Sequence, residues 1–475
     1  MPASPALTAP RRRTGRGAEL GLLVFAGIIV TAALVIVELN QNQSLHWELL
    51  YYGGGYLVAF AVAHLIVRAL APYADPLLLP LVALLNGLGL VMIYRLDLAA
   101  AAKDPGAAAQ APLQLLWTGI SLVLFLLVLL IVRDHTTLQS YSYTLALVGL
   151  VFLAIPAGLP ARYSEVNGAK IWIKIPGVLS IQPGEFAKIA LIVFAAAFLV
   201  SKRTLLSTAG KRFLGLVLPR VRDLGPLVLL LAVALIVLVV GNDLGSALLL
   251  FGVLLVMVYL TTGRVSWLII GLLAFAGGAI LAYRLFAHLR VRVDIWLHPF
   301  ADPLNTGYQL VQSLFGLGTG GIFGTGLGAG RPDIVPFAST DFISAALGEE
   351  LGLVGLSAIL LCYLLLVGRG LRTALAARDN FGSLLAAGLS FAIALQVFII
   401  VGGVTRLIPL TGLTTPFLSY GGSSLLSNYI ILALLLRISD SSRRPAAPRA
   451  ARVTRRAPLM QAHTEMLPAI GGDGR

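Results

Sequence analysis

Apolar runs of about 20 residues recur along this chain, separated by short polar breaks. A helix needs roughly 20 mainly apolar residues to cross the hydrocarbon of a bilayer. On that basis the pattern predicts about twelve spans, at 20–38, 48–71, 76–95, 112–132, 140–157, 184–201, 224–241, 243–261, 265–284, 341–368, 382–404 and 418–437. The pair 224–241 and 243–261 is parted only by Gly241, Asn242 and Asp243, which read as a tight turn between two helices. Two segments, 158–183 and about 285–340, are too polar and too broken by Gly and Pro to span. They are expected to lie on the membrane surface or dip into a cavity. The predicted fold is an all-α integral membrane protein of about 12 transmembrane helices with one large outer loop. A basic tail, 1–18, precedes the polytopic domain, 19–437. The segment 438–475, rich in Arg, Pro and Ala and without an apolar face, is expected to be a disordered tail.

Composition supports the membrane class. The 475 residues are 58% hydrophobic and 12% charged, about half the charge of a soluble globular chain. The apolar surplus must face lipid. Cys362 is the single cysteine, so no intrachain disulfide can form. A net charge of +14 could suggest nucleic acid, but the basic residues sit in the tails and in alternate loops. With the N-terminus in the cytoplasm, 24 of the 35 Lys and Arg fall on the cytoplasmic side and 11 outside, as the positive-inside rule requires. Both termini are then inside, and 158–183 and 285–340 are extracytoplasmic. Arg11, Arg12, Arg13 and Arg16 read as an anchor to anionic membrane lipid. No cleavable signal peptide is evident, and no internal repeat supports an inverted-repeat transporter.

Few residues outside the tails could carry chemistry. Asp302 is followed by Pro303, which pins a turn. On spacing alone this is an Asp-Pro turn on a solvated loop. Beside an apolar surface, partial desolvation would raise its pKa and make it a general base. Glu185 and Lys188 are three apart and share a helix face within a span, where charges usually face a cavity or each other. Asp243, at the outer end of its span, either joins them or caps a helix. Glu349 and Glu350 cannot both face lipid, so at least one should make an interhelical contact. Lys170 and Arg406 lie in outside loops, where cations could neutralise a diphosphate. Ser423 and Ser424 offer hydroxyls near the mouth of the last span, or simply pack it. Gly316, Gly318 and Gly321 have dinucleotide-motif spacing without the strand and helix it needs, so a nucleotide site is excluded. His135 and His298 lack partners at metal spacing in the sequence, and no metal site is expected.

Several longer stretches resemble one family. They are Asn167–Trp172 with Ile181–Lys188, Asn242–Ala247, Ala301–Gln309 with Gln312 and Ser313, Thr340–Ile343 with Gly348–Gly352, and Pro416–Ser424. In this order they resemble the SEDS family (shape, elongation, division and sporulation) from about residue 76 onward, with its RodA branch favoured over FtsW by Phe337, Ser339 and Val404–Pro409. About two spans precede the ten-span core usual for that family. The resemblance implies a peptidoglycan glycosyltransferase polymerising lipid II on the outer face of the plasma membrane. It implies Asp302 as the catalytic position, with substrate near Glu185, Lys188, Asp243, Lys170, Arg406, Ser423 and Ser424. A divalent cation (Mg or Mn) is a candidate cofactor. Expected partners are a class B penicillin-binding protein and other elongation or division proteins. A lipid-precursor flippase and a non-catalytic scaffold for the transpeptidase remain as alternatives.

Overall fold

The computed structural model describes residues 15–445 apart from 43–45, 167, 176–178, 209–210, 214–215 and 219–223. The chain forms, in order, α1 (Arg16–Asn42), α2 (Glu48–Leu70), α3 (Leu78–Lys103), α4 (Ala111–Ile131), the short α5 (Thr137–Ser140), α6 (Ser142–Gly158) and the short α7 (Ala161–Ser164). Two small antiparallel hairpins follow, β1–β2 (Glu165–Val166, Ala169–Lys170) and β3–β4 (Ile173–Ile175, Leu179–Ile181). Then come α8 (Gly184–Ser201), the short α9 (Arg203–Thr208), a third hairpin β5–β6 (Lys211–Phe213, Leu216–Leu218), α10 (Gly225–Val240), α11 (Leu244–Thr262) and α12 (Val265–Leu285). The remainder is α13 (Ala287–Leu297), α14 (Tyr308–Gly320), α15 (Ile343–Ala376), α16 (Asn380–Val404) and α17 (Gly422–Arg443).

Every predicted span coincides with one of these helices. Among the described residues, ten are long and apolar enough to cross a membrane, while α6 and α10 are shorter apolar helices of 17 and 16 residues. Helices are the natural form for such segments, because hydrocarbon offers nothing to an unpaired backbone N–H or C=O. The break between α10 and α11 is the expected tight turn. Asn242 adopts a positive φ of 63°, and Asp243 caps α11 by accepting from the Ser246 N–H at 2.9 Å. Helix α17 is the hub, packed against α4, α15, α8, α16 and α3. Helix α12 is peripheral and buries only Ser266, Trp267 and Gly271.

The domain ends differ from those expected. Helix α1 begins at Arg16, inside the segment read as a tail, and α17 runs past 437 to Arg443 with Ile438, Ser439 and Asp440 buried. A polar knot explains the extension. Asp440 accepts from the Tyr73 N–H at 2.8 Å, and Asp75 pairs with Arg369 at 2.6 Å and Arg443 at 2.5 Å. The outer parts of both predicted tails, 1–14 and 446–475, lie outside the described residues.

The large loop is also more ordered than its glycines suggest, since it contains α13 and α14. After α14 the chain lies along α15. Leu353 N–H donates to Gly321 O at 2.9 Å and Val354 N–H to Ile322 O at 3.0 Å, while Thr325 and Gly326 donate to Glu349 O and Glu350 O, each at 3.0 Å. This pairing breaks α15 at Gly352, with φ 68° and ψ −172°. A Cβ at Gly320, Gly324 or Gly352 would overlap the opposing backbone. Close backbone approach, not phosphate binding, is what the glycine run does.

The two additional N-terminal spans now have a physical role. Helix α1 packs along α3, and Asn40 Nδ2 donates to Leu327 O at 2.5 Å while Gln41 Nε2 donates to Gly328 O. The C-terminal end of α1 therefore braces the glycine loop.

Candidate functional site

Two groups of residues lie near the ends of the helices that carry the large loop. The first is buried. Lys188 Nζ lies 2.7 Å from Glu185 Oε2 and donates to Gln396 Oε1 at 3.1 Å. Ser427 Oγ donates to Glu185 Oε2 at 2.7 Å, and Gln396 Nε2 to Thr414 O at 2.8 Å. Helical spacing brings the acid and the lysine onto one face of α8, and α16 and α17 close over them. Asp243 stands within electrostatic reach of Glu185 and of Arg292 on α13. Its Oδ1 caps α11, but its buried Oδ2 has no hydrogen-bond partner. A buried acceptor left open is costly in a folded protein, so this oxygen is a strong candidate to meet a ligand.

Arg292 was not anticipated from the sequence. Its Nη1 donates to Leu410 O and Thr411 O, both at 3.1 Å, and it also feels Asp341, two residues before α15 begins. Burial pushes the Asp341 carboxyl up to about 6, with Arg292 opposing the shift. The motif Thr340-Asp-Phe was visible in the sequence, but nothing local revealed that Arg292 would reach the same place. Lys170 joins from above. Its N–H donates to Gly241 O at 3.0 Å and Asn242 Nδ2 donates to Gly168 O at 2.7 Å. The β1–β2 hairpin is thus tied to the α10–α11 turn, and the Lys170 side chain is exposed.

The second group surrounds Asp302, at the end of a single 3-10 turn, Pro299–Ala301, that follows α13. Asp302 Oδ1 accepts from Asn305 Nδ2 at 2.9 Å, and Oδ2 from Thr306 N–H at 3.1 Å and Thr306 Oγ1 at 3.0 Å. Gly307 is required here, because a Cβ would overlap the Pro299 carbonyl. The expectation of a desolvated carboxyl with a raised pKa is overturned. Asp302 is partly exposed, and hydrogen bonds from the Thr306 backbone and from the Asn305 and Thr306 side chains hold its carboxyl below the usual carboxylate range.

Helix α13 links the two groups. Its 11 residues span about 16 Å, with Arg292 near its middle and Asp302 beyond its C-terminal end. Arg406 fastens that end, donating Nε to Trp296 O at 2.8 Å and Nη2 to Leu297 O at 2.7 Å, while Trp296 Nε1 returns a bond to Arg406 O at 3.1 Å. Arg406 thus caps helix carbonyls. Ser423 and Ser424 are likewise engaged inside the fold. Ser423 Oγ accepts from Gln182 N–H at 2.9 Å and Ser424 Oγ from Asn428 Nδ2 at 3.2 Å.

The acidic pair at the start of α15 is structural. Glu350 Oε1 accepts from Arg95 Nε at 3.0 Å and its Oε2 from Gly328 N–H at 2.9 Å, while Glu349 Oε1 accepts from Arg331 N–H at 2.7 Å. His135 does find a carboxylate, Asp379 at 2.7 Å across 244 residues, a pairing invisible to local spacing. Among the described residues no group of three or more His, Cys, Asp or Glu is arranged to hold a metal ion.

Residues 76–444 match the family model described as "Cell cycle protein", that of FtsW, RodA and SpoVE. The chain is 56% identical over 467 residues to the peptidoglycan glycosyltransferase RodA of Mycobacterium tuberculosis (strain ATCC 25618 / H37Rv), covering 98% of this chain and 99% of that protein. It is 54% identical over 461 residues to the peptidoglycan glycosyltransferase RodA of Mycobacterium leprae (strain TN), covering 97% of each. A solved structure, described as structural coordination of polymerization and crosslinking by a peptidoglycan synthase complex, superposes with a TM-score of 0.61 at 30% identity. That match covers 78% of this chain and 99% of the other.

Proposed function

This chain belongs to the FtsW, RodA and SpoVE family of cell cycle proteins, and from that premise we propose how it polymerises lipid II into glycan strands. It is a peptidoglycan glycosyltransferase embedded in the membrane by multiple helices. The donor is a polyprenyl-diphosphate disaccharide-peptide, whose tail stays in hydrocarbon while its sugar reaches water. Both termini face the cytoplasm and the loop end faces outward, following the distribution of Lys and Arg.

The observation that carries the mechanism is the carboxylate of Asp302, pinned by Asn305 and Thr306. Its depressed pKa keeps it ionised throughout the physiological range. It takes the proton from the acceptor 4-hydroxyl as that oxygen attacks the anomeric carbon of the donor, with inversion. A base of low pKa accepts the proton late, when the attacking oxygen has become acidic. The glycosidic C–O bond forms, the bond to the diphosphate breaks, and lipid diphosphate leaves. Arg292, Lys188 and Lys170 neutralise its charge. Glu185 and Asp243 set the position of those cations.

The product is uncrosslinked glycan, so a crosslinking enzyme must act next. A class B penicillin-binding protein is the partner this reading assigns, in line with the polymerization and crosslinking named for the structurally similar complex. Other elongation or division proteins would join it.

Purified protein supplied with lipid II, wild type against Asp302→Asn, tests the proposal by polymer ladders on a gel. Wild type makes ladders and the variant does not. Ladders from both would remove Asp302 as the base. Ladders from neither would favour a flippase, or a scaffold for the transpeptidase.

A further inference from the structure

A cavity of about 400 Å³ opens at the end of the bundle opposite Asp302, between the last turns of α8, α11 and α15 and the first turn of α16. Its volume lies within the roughly 300–1,000 Å³ range of small-molecule sites, and no step of glycan synthesis uses it. Leu260, Leu371, Leu375 and Leu384 line it, and Leu375 is 88% exposed at its side. In a membrane-spanning helix that exposure is to lipid, so the cavity opens sideways into the bilayer. Arg203 stands at the mouth with Asn380. Arg203 Nη1 donates to the neutral Asn380 Oδ1 at 3.2 Å, and among the described residues no carboxylate pairs with it. The nearby Asp379 is turned away, held by His135 at 2.7 Å and by the Gly382 N–H at 2.6 Å. An apolar slot open to acyl chains, with a cation lacking a counter-charge at its rim, matches one ligand chemistry.

We propose that this cavity binds an anionic membrane phospholipid, one acyl chain lying along the leucines and the phosphate resting on Arg203. Basic pockets between helices on the cytoplasmic side are suited to anionic headgroups, each Lys or Arg adding to the attraction. The orientation proposed above decides which leaflet supplies the lipid. The site itself depends neither on that orientation nor on the role of Asp302.

The test uses the full-length protein in neutral detergent with phosphatidylglycerol or phosphatidylcholine, read by native mass spectrometry and by thermal unfolding. Wild type is expected to retain phosphatidylglycerol in preference to phosphatidylcholine and to unfold at a higher temperature with it. Arg203→Gln should weaken that retention about fivefold, and Arg203→Lys should preserve it. Ala387→Trp, which fills the cavity, should abolish it. Arg203 is exposed, so its variants fold and keep the test decisive should Ala387→Trp not fold. Equal retention of the two lipids by wild type would overturn the site. So would undiminished phosphatidylglycerol binding by Arg203→Gln or by folded Ala387→Trp. In either case polymer ladders from wild type would remain, which separates this failure from failure of the proposed function.

Discussion

Arg95 on α3 donates its Nε to Glu350 on α15 at 3.0 Å, both side chains being almost wholly buried. The same guanidinium donates Nη2 to Gly330 O at 2.7 Å, and Glu350 accepts from Gly328 N–H at 2.9 Å. One ion pair therefore locks two helices and the glycine loop that α1 braces. Removing one partner of a buried pair leaves an uncompensated charge and costs about 3–5 kcal/mol. Glu350→Gln is expected to lower the thermal unfolding midpoint markedly. A midpoint equal to wild type would show that the pair does not hold the loop.

Glycines in that loop should differ sharply in tolerance. A Cβ at Gly324 would overlap the Glu350 backbone, and Gly324 also has φ +82°, whereas a Cβ at Gly318 meets nothing within 4 Å. Gly324→Ala combines a strained φ with a clash, each costing about 1–3 kcal/mol. It should unfold or express poorly, while Gly318→Ala should unfold at the wild-type temperature. Equal behaviour of the two, measured by unfolding in detergent, would contradict the close approach.

The pair Glu185–Lys188 separates stability from chemistry. Glu185→Gln or Lys188→Met alone strands a buried charge and should destabilise by about 3–5 kcal/mol. The double variant should recover much of that stability, since neither charge remains. It should not recover ladder formation if Lys188 faces the diphosphate. Recovery of both would reduce the pair to a structural contact.

The hydrogen bonds on Asp302 predict a pH effect with a definite sign. They favour the ionised form and hold the pKa down, so the acid limb of kcat/KM lies below the ordinary carboxylate range. Asn305→Ala removes one donor and should shift that limb to higher pH, with the rate above it less affected. An unshifted profile, measured down to the pH at which the wild-type rate falls, would mean that another group controls the reaction.

Arg292 offers a test against Arg406. Arg292→Met should cut polymerisation at saturating lipid II by about 10²-fold or more if it stabilises the departing diphosphate, and Arg292→Lys should retain part of the rate. Arg406→Met, which removes bonds to Trp296 and Leu297 carbonyls, should lower the unfolding temperature instead. Similar kinetic losses with unchanged stability in both would return the diphosphate role to Arg406.

Much of this arrangement could be read along the chain, and the failures have a common cause. The pairing of Glu185 with Lys188 follows from helical spacing, and the Asn242 turn from two apolar runs that meet there. Helix α14 was hidden because Gly316, Gly318 and Gly320 signal a break locally. Of the three, Gly320 faces the backbone of α15 and Gly316 the Glu349 side chain. Asp302 was legible as a position but not in its protonation, because its neighbours' donors, not apolar surroundings, set its charge. Arg406 and Ser423 looked available because their partners, Trp296 and Gln182, lie far along the chain and meet them only once it is folded.

Membrane class, the spans and the sidedness argument come from sequence alone, since they depend on hydropathy and charge that lipid and water read one segment at a time. Which charges meet is a property of the fold. Arg292 reaches Asp243 and Asp341 because α13 lies against the 405–411 segment, and Arg95 finds Glu350 across 255 residues. Hydrogen bonds act over a few ångströms, and Coulomb attraction weakens steadily with distance. They act only between groups that packing has already brought together.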